Sequence, residues 1–296
     1  MKKSRIITIG TFDGVHLGHQ KILQVTTKLA EALKLDPLAI VLAAPPKFNG
    51  RDEERYLITT SEERMFFIRE VFNGEIEVYE FEEKIQNVEA EEFIQHLKFS
   101  YGLHHLVLGF NHTFGKGKKG DVEFLSKNVD KFDIGFTVVP PVKIDGQVIS
   151  SSLIRLLLRE GKVKTVSKCL GRFYSLHGIV TKGAGLAGTL GYKTINLEVP
   201  EKKIIPKEGV YAVIAEVSGK VFPGACYIGK SPTLGLNRFS VEVHLIGFND
   251  DLYGQRVTIS FIDFLRDDIK FESTEELKKQ IAEDIKNAKI LISEFL

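Results

Sequence analysis

Long apolar runs are missing from this sequence. No segment approaches the roughly 18 apolar residues that a membrane-spanning helix requires, which argues against a transmembrane protein. The basic start, with Lys2, Lys3 and Arg5, is similar to the charged region of a signal peptide. The apolar segment behind it breaks at Gly10 and is too short for an export signal. We therefore expect a cytoplasmic protein.

Cysteine is scarce, and neither sign of charge predominates. Cys169 and Cys226 lie far apart without a Cys-x-x-Cys spacing, so we expect buried thiols in a reduced compartment, not a disulfide scaffold or a metal framework. The 40 Lys and Arg residues balance the 39 Asp and Glu residues, which leaves a net charge of +1. This balance argues against a surface built for nucleic acid but leaves a local basic pocket open. We expect no nucleic-acid, membrane or obligate protein partner.

The composition is that of a folded protein, and the length of 296 residues fits about two domains of roughly 150 residues each. The first 140 residues alternate between short apolar runs and helical patterns. Helices are predicted near residues 18–34, 61–71, 89–99 and 121–130, and strands at Arg5–Ile9, Leu38–Leu42, Glu75–Tyr79, His105–Leu108 and Gly135–Val139. This alternation predicts a doubly wound α/β domain with a parallel sheet and helices on both of its faces.

The pattern changes after residue 170 or so, where helical periodicity gives way to strand-like runs with glycine-rich turns. The runs are Phe173–Val180, Val210–Val217, Val221–Ile228, Phe239–Ile246 and Val257–Phe264. They predict a small closed antiparallel barrel or a sandwich. A capping box at Ser273–Glu276 opens a final helix. We expect domains over residues 1–155 and 171–296, joined by a helical connector over residues 156–170.

One glycine-rich segment follows the first predicted strand and precedes a helix. Gly10–His19 reads Gly-Thr-Phe-Asp-Gly-Val-His-Leu-Gly-His. Its glycines let backbone amides approach a phosphate, and a helix N-terminus attracts anions. His16 and His19 are three positions apart, so one helical turn places both imidazoles on one side. In isolation, a turn with two incidental histidines would be the simpler interpretation.

Two further segments could bind phosphates. Ser150, Ser151 and Ser152 precede an apolar helix that carries Arg155, which makes either a second anion cradle or only an N-cap. The segment from Gly183 to Leu197 is a glycine-rich loop followed by Thr-Ile-Asn. Such a loop can wrap phosphates with its amides, and neutral oxygen ligands suit Mg²⁺. The alternative is a flexible barrel loop.

The order of these motifs resembles a known family. The decapeptide is similar to the G-x-F-D-G-x-H-x-G-H signature of nucleotidyltransferases, and most closely to the N-terminal module of bacterial bifunctional riboflavin kinase/FMN adenylyltransferases. Leu108–Gly117 resembles the family's G-x-D-F-x-F-G stretch, and Ile149–Arg155 resembles I-S-S-T-R-I-R. Gly183–Leu197 resembles the riboflavin kinase signature G-x-x-x-G-R-x-L-G-x-P-T-A-N. The resemblance implies a kinase that makes FMN from riboflavin and a transferase that makes FAD from FMN, both using ATP and Mg²⁺.

The resemblance also implies roles for individual residues. His16 and His19 would stabilise the transition state of adenylyl transfer, and Glu242 would be the general base of the kinase. In the transferase, ATP and FMN would be bound by Gly10, Phe12, Asp13, Gly14, Gly18, Gly109, Asn111, Ser150, Ser151, Ser152 and Arg155. In the kinase, ATP and riboflavin would be bound by Gly183, Gly185, Gly188, Gly191, Lys193, Thr194, Asn196 and Arg266, with Thr194 and Asn196 holding Mg²⁺.

The sequence departs from the family pattern at several positions. Asn111 and His112 replace an Asp-Phe pair, Ser152 replaces Thr, Leu153 replaces Arg, Thr189 replaces Arg and Lys193 replaces Pro. Because Lys is a flexible point charge and not a bidentate fork, Lys193 is no simple substitute for the missing Arg. One alternative is therefore a single-activity FMN adenylyltransferase with an impaired kinase. A second is a flavin or nucleotide sensor without catalysis.

Overall fold

The computed structural model describes residues 3–43, 55–79, 87–182, 191–230 and 239–295. The chain divides into two compact units. The first contains Met1–Glu53 and Thr59–Ser151, and the second contains Glu54–Ile58 and Ser152–Leu296. Among the described residues, no helix is both long and apolar enough to cross a membrane.

The first unit is built on a five-stranded parallel sheet with the order β3-β2-β1-β4-β5. Its strands are β1 (Arg5–Gly10), β2 (Asp36–Leu42), β3 (Glu75–Tyr79), β4 (Leu103–Gly109) and β5 (Gly135–Val139). The helices between them are α1 (Leu17–Leu33), α2 (Ser61–Val71), α3 (Ala90–Tyr101) and α4 (Val122–Phe132). A short hairpin follows, formed by β6 (Lys143–Ile144) and β7 (Gln147–Val148).

The two faces of the sheet bury different residues of the same strand. Ile7 and Ile9 of β1 pack in one cluster with the buried residues of α3, whereas Ile6 packs in another with Ala30 of α1. This alternation is what a strand covered on both faces requires. Helices therefore cover both faces, as the sequence predicts.

The strand order places a switch point at the centre of the sheet. From β1 the chain runs outward through β2 and β3, and then returns to lay β4 on the other side of β1. Because both strands are parallel, Gly10 at the end of β1 and Gly109 at the end of β4 lie at the same edge. In sheets of this kind, ligands bind in the crevice at the carboxyl ends of the strands where the order reverses.

The second unit contains a closed antiparallel barrel of six strands in the order β10-β11-β12-β9-β8-β13. The strands are β8 (Tyr174–Thr181), β9 (Ile195–Glu198), β10 (Gly209–Val217), β11 (Lys220–Lys230), β12 (Phe239–Leu245) and β13 (Arg256–Arg266). Helix α7 (Thr274–Ile292) packs its Ala288 and Ile292 against a cluster that includes Ala212 of β10 and Ile262 of β13. Ser273 caps this helix, since its side chain accepts a hydrogen bond from Glu276 N at 3.2 Å.

The predicted elements are largely confirmed. The capping box at Thr60 and Glu63 has both of its hydrogen bonds, and the barrel is closed. Strand β9 and the β6–β7 hairpin were missed, since four and two residues are too few to show a period. The segment expected to be a helical connector, residues 156–170, contains the end of α5 (Ser151–Arg159) and all of α6 (Val163–Leu170), which are separated at Gly161 with its φ of 76°. Both cysteines are free and buried, as expected.

Candidate active sites

The turn between β1 and α1 has an unusual backbone. Phe12, Gly14 and Val15 have positive φ angles of 47°, 87° and 40°. Glycine adopts this region readily, but a β-branched valine is a genuine outlier there. Phe12 is 2% exposed and packs in the core with Val15 and Leu23, which contributes to keeping two non-glycine residues in this conformation. Strained backbone of this kind is concentrated at functional sites.

His16 and His19 lie side by side directly after this turn. His16 is the N-cap of α1, and its Nδ1 accepts a hydrogen bond from His19 N at 3.3 Å. The two imidazole rings are stacked, with 3.6 Å between their centroids and 19° between their planes. A Cβ on Gly18 would come within 3.0 Å of the His16 ring, so glycine makes room for the pair. The spacing of three residues therefore does place both rings on one side.

Two further residues of the predicted transferase site, Gly109 and Asn111, lie at or just after the end of β4. Gly109 ends β4, and Asn111 after it is exposed. His112 lies half-buried beside Phe114, and burial lowers the pKa of its imidazole to about 4. His112 is therefore neutral at physiological pH and contributes no cation to the site.

The serine segment divides between the two units. Ser150 and Ser151 belong to the first, where Ser151 Oγ donates a hydrogen bond to Asp13 O at 2.9 Å. Ser152 and Arg155 belong to the second, where Arg155 Nε donates to Tyr56 O at 2.7 Å. The first of these bonds joins the serine segment to the turn that precedes His16.

In the barrel, the residue predicted to be the base of a kinase lies in a row of paired residues. Glu242 on β12 is directly opposite Tyr227 on β11 and Asn196 on β9. Directly opposed residues point to the same face of a sheet, so these three side chains are neighbours. The flanking Val241 and Val243 are buried in the barrel, which leaves Glu242 on the outer face.

The environment of Glu242 suits a base. Burial raises the pKa of its carboxyl above the ordinary value, while the hydrogen bond from Ser240 opposes the shift. Ser240 Oγ donates to Glu242 Oε1 at 3.3 Å. Burial, followed by the carboxylates of Asp268 and Glu242, raises the pKa of Tyr227 to about 12, so its hydroxyl remains protonated at neutral pH. A half-buried carboxylate of raised pKa is a better proton acceptor than one in water.

The segment directly before β9 contains further residues of the predicted kinase site. His244 Nδ1 lies 2.8 Å from Lys193 O, and its ring meets Tyr192 edge-on at 5.6 Å. Lys193 Nζ donates to Asn249 O at 3.1 Å. Gly191 has a φ of 91°, and Thr194 lies half-buried between these contacts and β9. Gly183, Gly185 and Gly188 lie outside the described residues.

Arg266, at the end of β13, has a partner within the barrel unit. Its Nε and Nη2 donate to the two carboxylate oxygens of Asp284 on α7, at 2.9 and 2.7 Å. Its Nη1 donates to Asp267 O at 2.9 Å. This bidentate pair fastens α7 to the barrel, so the predicted ligand-binding role of Arg266 would have to be shared with a structural one.

In comparisons with known proteins, two family models match different parts of the chain. A model of the FAD synthetase family matches residues 1–153, and a model of the riboflavin kinase family matches residues 170–292. The chain is 35% identical to the bifunctional riboflavin kinase/FMN adenylyltransferase of Bacillus subtilis, over 96% of this chain and 91% of the relative. The chain belongs to the bifunctional riboflavin kinase/FMN adenylyltransferase family.

Other members and one solved structure extend the comparison. The enzyme of the same name from Haemophilus influenzae is 32% identical, over 96% of this chain and 92% of the relative. A crystal structure described as a macrolide-efflux protein from Streptococcus pneumoniae has a TM-score of 0.87 and 29% identity, covering 98% of this chain and 97% of that one. The likeness therefore extends over nearly the whole of this chain and of each of these proteins.

Several residues beside the two sites were not predicted from the sequence. Thr59 and Arg64 contact the turn before His16, and Ser240 and Tyr227 lie beside Glu242. Thr59 and Arg64 flank the capping box at Thr60–Glu63, but the box itself gives no sign of their contacts with the turn. The pairing of Tyr227 with Glu242 depends on a strand register that the sequence alone does not fix.

Proposed function

We propose that this chain phosphorylates riboflavin to FMN in its barrel unit and adenylylates FMN to FAD in its parallel-sheet unit. The observation that carries the proposal is that each unit has its own chemical centre, the stacked pair of His16 and His19 in one and the half-buried Glu242 in the other. Each centre lies inside the match to the corresponding family.

The transferase reaction needs positioning more than acid–base chemistry. A phosphate oxygen of FMN attacks the α-phosphorus of ATP, a new P–O bond forms, and the bond to the β-phosphate breaks to release pyrophosphate. The nucleophile is already ionised at neutral pH, so catalysis consists of in-line alignment and stabilisation of charge around the phosphorus. His16 and His19 lie at the N-terminus of α1, where the helix dipole and the imidazole N–H groups act on the same charge.

The kinase reaction has a different requirement. The 5′-hydroxyl of riboflavin must lose its proton as it attacks the γ-phosphorus of ATP, and ADP leaves. Glu242 takes that proton in this proposal, since its raised pKa brings it closer to the working pH. Ser240 holds one of its oxygens, which leaves the other to face the hydroxyl.

Mg²⁺ belongs to the proposal through the donors that would hold it. Thr194 and Asn196 offer neutral oxygens, and Asn196 is directly opposite Glu242. Within the described ranges, no group of three His, Cys, Asp or Glu residues could hold a metal. This donor set fits Mg²⁺ bound mainly to nucleotide phosphates with one or two protein ligands. When bound, the ion would neutralise the charge of the triphosphate.

The proposed ligands are flavins and ATP, and the proposed location is the cytoplasm. Both cysteines are free thiols, which agrees with a reducing compartment. Nucleic acid and obligate protein partners do not enter the proposal.

An assay with riboflavin and Mg-ATP tests the whole proposal. FMN and ADP should appear first, followed by FAD and pyrophosphate, because the product of one unit is the substrate of the other. A parallel reaction with FMN isolates the transferase, and one with EDTA tests the metal. FAD from FMN without any phosphorylation of riboflavin would establish the single-activity alternative. Nucleotide binding without turnover would establish the sensor.

The hydrogen bond from Ser240 gives a pH-dependent prediction. Ser240→Ala removes an interaction that lowers the pKa of Glu242, so the pKa rises further. The base acts only when ionised, and therefore the acidic limb of kcat/KM for riboflavin phosphorylation should move to higher pH. The pH profile of FMN adenylylation should not move.

Ser260→Ala provides the control, because Ser260 is a half-buried serine on β13, a strand that does not neighbour β12. Its kinase profile should match that of the unaltered protein. A Ser240→Ala profile that shifts to lower pH would contradict the assignment of Glu242 as the titrating base.

A further inference from the structure

The turn at residues 11–15 has a conformation that its own sequence does not favour. Phe12 and Val15 carry side chains in the left-handed region, where non-glycine residues are uncommon and β-branched ones rarer still. Such a conformation persists only when the surroundings over-determine it. Residues outside the Gly10–His19 decapeptide must therefore contribute to holding it.

Thr59 is the first of these residues. Its Oγ1 accepts a hydrogen bond from Gly14 N at 2.9 Å and donates one to Asp13 Oδ1 at 3.1 Å. Its backbone N donates to the same carboxylate oxygen at 3.0 Å. Asp13 is 1% exposed and Thr59 is 2% exposed, so these bonds form away from solvent, where losing a partner is costly.

Arg64 on α2 is the second. Arg64 is 2% exposed, and its guanidinium donates to Thr11 O at 2.8 Å, just beyond the end of β1. It also donates to Leu42 O at 3.3 Å and to Ala43 O at 3.1 Å, at the end of β2. The planar guanidinium of Arg64 therefore connects the ends of two adjacent strands, β1 and β2, to helix α2.

We propose that Thr59 and Arg64 are positioning residues for adenylyl transfer, which hold the turn at residues 11–15 so that His16 and His19 are presented as a stacked pair. The inference rests on the proposed transferase function. Neither residue needs to contact the nucleotide. Their effect is transmitted through the turn, because His16 follows Val15 directly and caps the helix that carries His19.

Several carbonyls of the turn are fixed by donors of this kind. Thr11 O accepts from Arg64, Asp13 O accepts from Ser151 Oγ at 2.9 Å, and Val15 O accepts from Gln20 Nε2 at 2.9 Å. A rotation of the backbone at Gly14 would break the bond to Thr59 and change the direction in which His16 leaves the turn. Positioning of this precision matters for phosphoryl chemistry, which depends on in-line geometry.

The test compares paired variants of the full chain. Thr59→Val keeps the shape of the side chain but removes the hydroxyl, and Thr59→Ser restores the hydroxyl. Arg64→Met removes the guanidinium, and Arg64→Lys keeps one charged donor. Matched controls are Thr26→Val, a buried threonine that bonds within α1, and Arg69→Met, an exposed arginine on α2. Initial rates of FMN adenylylation and of riboflavin phosphorylation are measured separately, with cooperative thermal unfolding as the check on folding.

We expect Thr59→Val and Arg64→Met to lower kcat for FMN adenylylation by about 100-fold, the size of effect that a misplacement of about 1 Å produces. Riboflavin phosphorylation should be unchanged, Thr59→Ser should recover most of the loss, and both controls should behave like the unaltered protein.

Folded Thr59→Val and Arg64→Met variants with near-normal adenylylation would overturn the inference. So would a loss that merely follows the folded fraction and disappears at low temperature. If the unaltered chain does not adenylylate FMN, the proposed function itself fails, and that first measurement tells the two failures apart.

Discussion

Replacement of both His16 and His19 by alanine is expected to abolish FAD formation from FMN and ATP, while riboflavin is still phosphorylated. Loss of a single preorganised donor to a transition state costs about 10²–10³ in kcat, and the double variant loses both rings of the stacked pair. The measurement is the rate of pyrophosphate release with FMN as the substrate. Phosphorylation by the same preparation reports on the other unit.

His16 also caps α1, and the experiment must separate this stabilising role from the proposed role in adenylyl transfer. Its Nδ1 caps α1 by accepting from His19 N, and loss of an N-cap destabilises a protein by about 1 kcal/mol. His16→Asn keeps a side chain that can cap the helix but removes the imidazole, so it should be as inactive as His16→Ala and more stable. His104→Ala, at an exposed histidine of β4, is the matched control. Normal turnover in a folded double variant would remove both histidines from the mechanism.

The two histidines also show how far local sequence signals reach. The helical type of α1 and the presence of both rings on one side follow from the spacing of residues that are close together in the sequence. The capping box that begins α2 is equally local, with Glu63 N donating to Thr60 Oγ1 at 3.2 Å and Thr60 N donating to Glu63 Oε2 at 2.7 Å. Signals of this kind predicted most of the elements of the sheet unit.

The contacts of Asp13 could not be predicted from neighbouring residues in the sequence. The decapeptide suggests that its carboxylate faces a ligand, yet one carboxylate oxygen is buried against Thr59, which is 46 positions away in the chain. A contact of that separation depends on the packing of α2 against the strand ends, and no pattern of neighbouring residues encodes it. The ligand-binding role of Asp13 stays a prediction, and its observed contacts assign it to the shape of the turn.

The second site depends even more on distant pairing. The alternation of Val241 and Val243 around Glu242 predicts a strand with one face buried, and this is confirmed. That alternation also allows an ordinary solvent-facing glutamate. The environment that favours a base comes from the register of β12 against β11 and β9, which brings Tyr227 and Asn196 alongside.

Glu242→Gln is therefore expected to eliminate conversion of riboflavin to FMN, while supplied FMN is still converted to FAD. The substitution preserves shape and still lets Ser240 donate to a side-chain oxygen, but the amide cannot take a proton. Loss of a general base lowers the rate by about 10²–10⁴-fold. The measurement is ADP formation that depends on riboflavin, followed across pH.

The residual activity of this variant distinguishes a base from a residue that only shapes the site. Without its base, the Glu242→Gln kinase should lose the acidic limb of its pH profile, because no carboxyl remains to be ionised. A residue with a structural role would instead lower the rate and keep the limb.

Glu216→Gln, at an exposed glutamate of β10, should leave both the rate and the profile unchanged. Retention of the limb in Glu242→Gln would transfer the titration to another carboxylate near Tyr227, of which Asp268 is the strongest candidate, since its charge has the larger effect on the pKa of that tyrosine.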